Sequence, residues 1–209
     1  MESVTLVELD PAMTRLAKTD EIFLKVNRSA LLDSRVIVVN EDAYRFAKKN
    51  KKLYDVIVVD LPDPKTVSLS LLYSTGFYKM IKKQLKPYGA FVTQATSPLY
   101  APQAFLCVVK TLRSAGFATV PYRNEVPTLG EWGWVLGVKK EAMQELKLRN
   151  KLDNLNFSKI ETRFLNREAV IAMTRFGKGL FNKSESIEVN TELDHVILKY
   201  YRNGDWDVY

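Results

Sequence analysis

The sequence contains almost no cysteine or histidine. Its 209 residues include one cysteine, Cys107, and one histidine, His195. A single cysteine cannot form a disulfide within the chain and is typical of a reducing compartment, so we predict a cytoplasmic protein. Without a cluster of cysteine and histidine ligands, we expect no metal site. Cys107 lies in an apolar helical pattern that predicts a packed thiol, and His195 is interpreted as a surface or packing residue.

Long hydrophobic runs are also missing. No apolar run approaches the roughly 18 residues that a membrane span needs. Residues 1–3 lead directly into a strand-like segment without a secretory signal, so we predict no membrane span in this chain. The net charge is +7, with lysine clusters in residues 48–52 and 82–86. No aromatic-basic platform accompanies these clusters, so we interpret them as solvated helix ends and predict no nucleic-acid partner.

Short apolar strands alternate with helical patterns up to residue 140. This alternation predicts an α/β fold with a mostly parallel sheet, of the Rossmann-like methyltransferase type. No helix separates the last two strands, so we expect them to pair antiparallel. The predicted strands are Val4–Glu8, Arg35–Val39, Tyr54–Asp60, Ala90–Ala95, Phe117–Tyr122 and Trp132–Val138.

The predicted helices carry apolar residues at helical spacing. One predicted helix begins at Pro11, and the others cover Ala43–Lys49, Leu71–Leu85 and Pro102–Ala115. Residues 86–89 are interpreted as a turn. After residue 140 the pattern is less regular. It predicts helices at 141–149 and 166–175 and short strands at 187–189 and 196–200. We therefore predict a first domain at 1–140 and an α+β C-terminal extension at 141–209.

The most informative stretch is the apolar run 56–59 followed by Asp60-Leu61-Pro62-Asp63-Pro64. Four apolar residues predict a buried parallel strand. In open α/β sheets, ligands bind beyond the carboxyl ends of the strands. Two carboxylates at such an end suit a cationic substrate, such as an amine, better than an anionic one.

Other polar side chains end neighbouring predicted strands. Glu8 ends the first strand, where a carboxylate can accept hydrogen bonds from ribose hydroxyls. Asp42 follows the second strand, where an acid and a backbone amide can bind an adenine edge, and Gln94 ends the fourth. Each acid has a simpler interpretation as a helix cap, and Asp42 is well placed to cap the helix that begins at Ala43. Their joint occurrence favours a ligand-binding edge.

Four motifs together resemble the spermidine synthase (polyamine aminopropyltransferase) family, most closely the branch whose members carry this domain behind membrane-spanning segments. They are Asp60-Leu61-Pro62-Asp63-Pro64, Leu72-Tyr73-Ser74 with Phe77-Tyr78, Gln94-Ala95-Thr96-Ser97-Pro98, and Val126-Pro127-Thr128-Leu129-Gly130-Glu131-Trp132-Gly133. The resemblance extends over about residues 3–140. It implies polyamine biosynthesis: transfer of an aminopropyl group from decarboxylated S-adenosylmethionine to putrescine or a related amine, giving a spermidine-type product and methylthioadenosine.

The resemblance also implies roles for the amine site. The aspartate matching Asp60 helps to remove a proton from the attacking amine and orients its nitrogen. Asp63 and Gln94 match residues that bind the amine. Tyr73 and Trp132 are expected to line the amine channel, where an aromatic face favours a cation, or else to pack against the sheet.

The nucleoside side of the site follows from the same resemblance. Glu8 would hold the ribose and Asp42 with Ala43 would hold the adenine. Pro64 is expected among the residues that bind the co-substrate.

The chain departs from the family pattern at its start. Only residues 1–3 precede the strand at Val4, where the family has a glycine-rich loop and a central strand. We therefore expect a sheet in two parts, each with an exposed ladder of unpaired backbone groups. We also expect that the chain is the carboxyl-terminal part of a longer synthase or that it depends on a partner, which could be a second copy of itself in a homo-oligomer. Leu129 stands where relatives often have tyrosine and Glu41 where they usually have glycine, so the preferred amine and the adenine contacts stay open.

Two other functional hypotheses remain open from the sequence. The fold also suits a methyltransferase-like enzyme that uses S-adenosylmethionine itself, because fold does not fix function. A non-catalytic fragment that binds nucleosides, polyamines or another subunit is the third hypothesis.

Overall fold

A computed structural model describes residues 1–206 of the protein. These residues form two compact units that divide between Lys51 and Lys52. In the first unit, strands β1 and β2 pair in parallel, with Val4 opposite Val36 and Glu8 opposite Asn40. Its elements are β1 (Val4–Glu8), α1 (Pro11–Thr19), α2 (Glu21–Asn27), a 3₁₀ helix (Ala30–Leu32), β2 (Val36–Asn40) and α3 (Ala43–Lys49).

The second unit contains a four-stranded sheet in the order β3-β4-β6-β5. Strands β3 and β4 are parallel, whereas β6 runs antiparallel to both of its neighbours. The elements are β3 (Tyr54–Val59), α4 (Val67–Leu71), α5 (Thr75–Gln84), β4 (Leu85–Gln94), α6 (Pro102–Ser114), β5 (Phe117–Val126), β6 (Gly130–Lys139), α7 (Glu145–Asp153), α8 (Arg167–Met173), a 3₁₀ helix (Leu180–Ser186) and α9 (Val196–Arg202).

The predicted α/β architecture is confirmed, and so are the expectations of a divided sheet and of an antiparallel last pair. The expectation of a mostly parallel sheet is wrong, because two of the four strand pairings among the described residues, β4-β6 and β5-β6, are antiparallel. Within residues 1–206 the strands form two separate sheets, β1-β2 and β3-β4-β6-β5, as expected from the sequence. The last two strands, β5 and β6, pair antiparallel through the turn at 127–129. The predicted helix ends are confirmed as well: Asp42 caps the start of α3, and Gly116, with a positive φ of 91°, follows the end of α6.

The prediction that residues 56–59 form a buried strand is wrong for half of them. Val59 is buried, but Val56 and Val58 are 60% and 65% exposed. Among the described residues β3 pairs with β4 alone, so it is an edge strand. Side chains on a strand alternate between the two faces, and the face carrying Val56 and Val58 is uncovered.

Two boundaries in the middle of the chain also differ from the prediction. The helix predicted at 71–85 begins only at Thr75, as α5, because the Ser74 side chain accepts a hydrogen bond from the Phe77 amide and caps the first turn. Helix α4, at Val67–Leu71, is a separate helix that the sequence pattern does not indicate. Strand β4 begins at Leu85 rather than Ala90. Its pairing skips residues 86–89, since Tyr54 pairs with Leu85 and Val56 with Ala90, so the predicted turn is an irregularity within the strand.

The C-terminal extension is helical. Helices α7 and α8 confirm two predicted helices with shifted ends, but residues 196–200 belong to helix α9 and residues 187–189 form no strand. The short apolar patterns there are equally compatible with one face of a short helix, which packs against α6. The extension belongs to the same compact unit as β3–β6; the predicted domain boundary at residue 140 stays a prediction.

An aromatic cluster forms the core of the second unit between α5 and the sheet. Phe91 lies with its ring centroid 6.0 Å from that of Tyr78 and 5.2 Å from that of Phe117. Gly137 allows this packing, because a Cβ there would lie 3.1 Å from the Phe117 ring. Cys107 is fully buried in α6, as predicted, and burial raises the pKa of its thiol to about 12. Within residues 1–206, no helix has the length and apolar character to cross a membrane.

Replacing Phe91 by alanine should destabilise the protein by about 3–5 kcal/mol, because it leaves a cavity in this aromatic cluster. Tyr88 lies on the same strand and is 87% exposed, so Tyr88→Ala is the matched control and should change stability by no more than about 0.5 kcal/mol. Urea unfolding monitored by circular dichroism measures both values. Equal effects of the two substitutions would contradict this description of the core.

Candidate active site

The loop after β3 is held in place by a buried tyrosine. The prolines at 62 and 64 prevent the strand from continuing and restrict the backbone. Tyr73, which is completely buried, donates its hydroxyl to the carbonyl oxygens of Leu61 at 3.3 Å and Pro62 at 3.0 Å. Burial raises the pKa of Tyr73 well above its ordinary value, so the hydroxyl stays a donor. Tyr73 therefore fixes the path of the loop between the two aspartates.

Gln94 joins this loop to the neighbouring strand. Because Val59 pairs with Thr93, the carboxyl ends of β3 and β4 lie side by side. The Gln94 Nε2 donates to the Leu61 carbonyl oxygen at 3.1 Å and to Asp63 Oδ1 at 2.8 Å. Its Oε1 accepts a hydrogen bond from the Thr96 amide. These contacts orient the amide so that its nitrogen faces the Asp63 carboxylate.

The second oxygen of Asp63 has a partner that sequence reasoning missed. The Tyr201 hydroxyl, from helix α9, donates to Asp63 Oδ2 at 3.0 Å. A separation of 138 residues leaves no local pattern from which this contact could be found. Burial of Asp63 raises the pKa of its carboxyl, and this effect outweighs the hydrogen bonds from Tyr201 and Gln94 and the positive charge of Lys65, which all lower it.

Asp60 lies in a different environment at the end of the same strand. Its side chain is exposed, and it has no hydrogen bond or ion pair with any residue in 1–206. Asp63 likewise has no ion-pair partner within that range. The loop therefore presents one carboxylate that is held by two neutral donors and one that is available to a ligand.

The remaining residues predicted for the second unit are Pro64, for the co-substrate, and Trp132, for the amine. Pro64 is buried within the loop, and Trp132 is buried in β6. The residue after Trp132, Gly133, donates its amide to the Thr96 carbonyl oxygen at 2.7 Å, which ties β6 to the segment that follows Gln94. The substrate roles of Tyr73, Trp132 and Pro64 stay predictions.

In the first unit, the residues predicted to bind the nucleoside lie at one edge of the β1-β2 sheet. Strand β1 ends at Glu8, and the Glu41 amide donates to the Glu8 carbonyl oxygen at 3.1 Å, which brings the two strand ends together. Glu8 Oε1 accepts from the Asp10 amide at 2.8 Å, and Asp42 Oδ1 accepts from the Arg45 amide at 2.9 Å. The other carboxylate oxygen of each accepts no hydrogen bond from residues 1–206.

The acidic strand ends do not form a metal centre in the described part of the chain. No group of three or more histidine, cysteine, aspartate or glutamate side chains in residues 1–206 lies close enough together to hold an ion.

The raised pKa of Asp63 predicts a specific dependence of stability on pH. Because its pKa is higher in the folded than in the unfolded protein, the folded state retains the proton over the interval between the two values. The free energy of unfolding of the wild-type protein should therefore fall, relative to that of Asp63→Asn, as pH rises from the ordinary aspartate pKa of about 3.9 through the raised one. Above the raised value the difference should be constant.

Urea unfolding of both proteins at closely spaced pH values from about 3.5 to 7 measures this difference. A difference that stays constant throughout, or one that changes in the opposite direction, would show that burial does not govern this carboxyl.

Comparison with known proteins agrees with the motifs at the strand ends. Residues 1–150 match the spermine/spermidine synthase domain. Polyamine aminopropyltransferase 2 of Aquifex aeolicus is 39% identical over 199 residues, covering 95% of this chain and 38% of that protein. The polyamine aminopropyltransferase of Oceanobacillus iheyensis is 36% identical over 211 residues, covering all of this chain and 39% of the relative. The chain thus spans less than two-fifths of the length of these relatives.

Two solved structures with the same fold are spermidine synthases. That of Thermotoga maritima superposes with a TM-score of 0.68 at 22% identity, covering 88% of this chain and 61% of the other. A spermidine synthase in complex with the transition-state analogue AdoDATO gives a TM-score of 0.70 at 21% identity, covering 89% and 62%. The expected Rossmann-like methyltransferase fold is confirmed by these neighbours. Together with the domain match over residues 1–150, the comparisons show that this chain belongs to the spermine/spermidine synthase family.

Proposed function

We propose that this chain carries the catalytic residues of a polyamine aminopropyltransferase, which transfers an aminopropyl group from decarboxylated S-adenosylmethionine to putrescine or a related amine. The observation that carries the proposal is the pair Asp60 and Asp63, because neither carboxylate is neutralised by an ion pair within residues 1–206. The names of relatives that are 35–39% identical over most of the chain support the same activity.

The reaction needs a group that removes a proton from the amine. A primary ammonium has a pKa near that of lysine, about 10, and its nitrogen has no lone pair for attack until the proton leaves. Asp60 is exposed and accepts no hydrogen bond from any residue in 1–206, so it can accept one from the substrate nitrogen. We assign to Asp60 the removal of the proton and the orientation of the lone pair.

The bond changes then balance without a metal or redox partner. The neutral nitrogen forms a bond to the carbon next to the sulfonium sulfur, and the carbon–sulfur bond breaks with its electron pair going to sulfur. The products are the aminopropylated amine and methylthioadenosine, and the proton on Asp60 passes to solvent.

Asp63 and Gln94 fit a binding role rather than a proton-transfer role. Gln94 Nε2 and the Tyr201 hydroxyl each donate to one oxygen of Asp63, so the direction of this carboxylate is fixed. A carboxylate offers about four lone-pair sites, and these donors use two. The other two can accept from an ammonium group. Tyr73 supports the loop that carries both aspartates, and we assign Trp132 to the walls of the amine site.

The nucleoside half of the co-substrate fits residues of the first unit. Glu8 and Asp42 each keep one carboxylate oxygen that accepts no hydrogen bond from residues 1–206, which suits ribose hydroxyls and the exocyclic amine of adenine. The Ala43 amide, at the start of α3, is a donor near Asp42, and Pro64 is assigned to the co-substrate contacts of the second unit. We place the protein in the cytoplasm, since its lone cysteine suits a reducing compartment.

Asp60→Asn should lower the rate of methylthioadenosine formation by about 100-fold or more, because it removes the general base. The Michaelis constant for putrescine should change much less. Asp55→Asn is the matched control: Asp55 lies on the same strand, and its carboxylate pairs with Lys86 at the surface. This control should keep wild-type activity.

Chromatographic detection of methylthioadenosine, with putrescine and decarboxylated S-adenosylmethionine as substrates, provides the measurement, and calorimetry provides the affinity for putrescine. Replacing the co-substrate by S-adenosylmethionine tests the methyltransferase hypothesis, because a methylated product would then appear. Wild-type protein that neither binds putrescine nor forms methylthioadenosine would overturn the proposed function.

A further inference from the structure

The C-terminal segment, defined here as residues 187–206, is fastened to the second unit by a buried asparagine. Asn190 is completely buried. Its backbone amide donates to Thr111 Oγ1 at 3.0 Å, and its carbonyl oxygen accepts from the Thr75 amide at 3.0 Å. Its side-chain Nδ2 donates to the Ser70 carbonyl oxygen at 2.9 Å, and its Oδ1 accepts from the Ile197 amide at 3.4 Å. The Asn190 side chain thus joins α4 to α9, and its backbone joins the segment to α5 and α6.

A second contact fixes the start of helix α9 against helix α4. The Ser70 hydroxyl lies 2.8 Å from His195 Nδ1, and it is also 2.7 Å from the Val67 carbonyl oxygen. Ser70 is completely buried. These bonds hold α9 in one position relative to the loop that follows β3, so a side chain on α9 can serve the site with little loss of conformational freedom.

Tyr201 is that side chain. It is 8% exposed, and its ring centroid lies 4.6 Å from that of Trp206, whose Nε1 donates to the Tyr201 carbonyl oxygen at 2.7 Å. The Lys65 ammonium lies over the Tyr201 ring, 6.0 Å from its centroid. The ring therefore has both an aromatic and a cationic neighbour, and the hydroxyl donates to Asp63 Oδ2 at 3.0 Å.

We infer that Tyr201 is a positioning residue for the amine: its hydroxyl fixes the Asp63 carboxylate in the direction that binds an ammonium group of the substrate. This inference rests on the proposed function and adds a determinant of amine binding from outside the region 1–150 that matches the family domain. A carboxylate that is already oriented loses less rotational freedom when the ammonium group binds, so the affinity is higher.

The Tyr201 hydroxyl affects the protonation of Asp63, which a residue that only packs would not do. The groups facing Asp63 are the Tyr201 and Tyr73 hydroxyls, the Gln94 amide and the Lys65 ammonium. A donor to the ionised carboxylate lowers its pKa, so removal of the Tyr201 hydroxyl should raise the pKa of Asp63 further. Amine binding should then be lost at a higher pH than in the wild-type protein.

Tyr201→Phe tests this, since it removes the hydroxyl and keeps the ring against Trp206. The matched control is Tyr200→Phe: the neighbouring hydroxyl bonds to the Glu188 amide at 3.2 Å and to Glu188 Oε1 at 3.5 Å, not to the aspartate loop. Tyr201→Phe should weaken putrescine binding by about tenfold, as expected for one hydrogen bond to a charged group. Its kcat should change by less than about twofold, and Tyr200→Phe should match the wild type.

Three measurements on the purified full chain make the outcome unambiguous: the thermal midpoint, the putrescine affinity as a function of pH, and the titration of the Asp63 carboxyl carbon by NMR, which needs no substrate. Weaker binding together with an Asp63 titration moved to higher pH, in Tyr201→Phe alone, supports the inference. Wild-type amine affinity and an unchanged titration in Tyr201→Phe overturn this inference and leave the proposed function intact. A wild-type protein that binds no amine overturns both.

Discussion

The partly buried carboxylate of Asp63 is the constraint on which the organisation of the second unit's site depends. Removing a carboxylate from water costs free energy unless donors replace the lost solvent. Here the donors come from two distant parts of the chain, the end of β4 and helix α9. The interaction therefore joins the aspartate loop to the sheet on one side and to the C-terminal segment on the other. Asp63 is therefore important for both tertiary structure and the proposed function. The donors that offset the free-energy cost of burying its carboxylate also determine the direction in which it can bind a cation.

The two sheets carry different sets of polar residues at their strand ends. The β1-β2 edge carries Glu8 and Asp42, whose remaining acceptor capacity suits a nucleoside, whereas the β3-β4 edge carries the acids that suit an amine. In both sheets the residues proposed to bind ligands follow the carboxyl ends of parallel strands, where side chains from adjacent strands meet. Strand β3 is an edge strand among the described residues, and the sheet face that carries Val56 and Val58 is also uncovered. Val56 and Val58 are β-branched residues of the kind that fills central strands, but here they are exposed to solvent on an edge strand.

Sequence reasoning located the strands, their ends and the residues at those ends, since these depend on local signals: β-branched runs, proline-limited loops and capping side chains. It failed where the outcome depends on contacts between distant residues. Nothing near position 201 marks that tyrosine as a partner of Asp63, and nothing near position 190 marks the asparagine that fastens α9 to α4 and α6. It also misassigned residues 196–200 as a strand, because five residues of mixed apolar and polar character fit either period. Packing of α9 against α6 decides in favour of the helix.

The different environments of Asp60 and Asp63 explain why two carboxylates on one short loop can have different tasks. Enzymes commonly separate the roles of paired acids by giving each a different degree of burial and a different set of donors. Asp63 is held by Gln94 and Tyr201, so it is suited to fixed binding of a charge. Asp60 is exposed and accepts no hydrogen bond from residues 1–206, so its carboxylate is available to accept a proton from a substrate nitrogen. Tyr73 maintains this difference, because its hydrogen bonds to the carbonyl oxygens of Leu61 and Pro62 fix the backbone conformation between the two acids. The roles proposed for the two acids thus depend on the backbone path of a single loop.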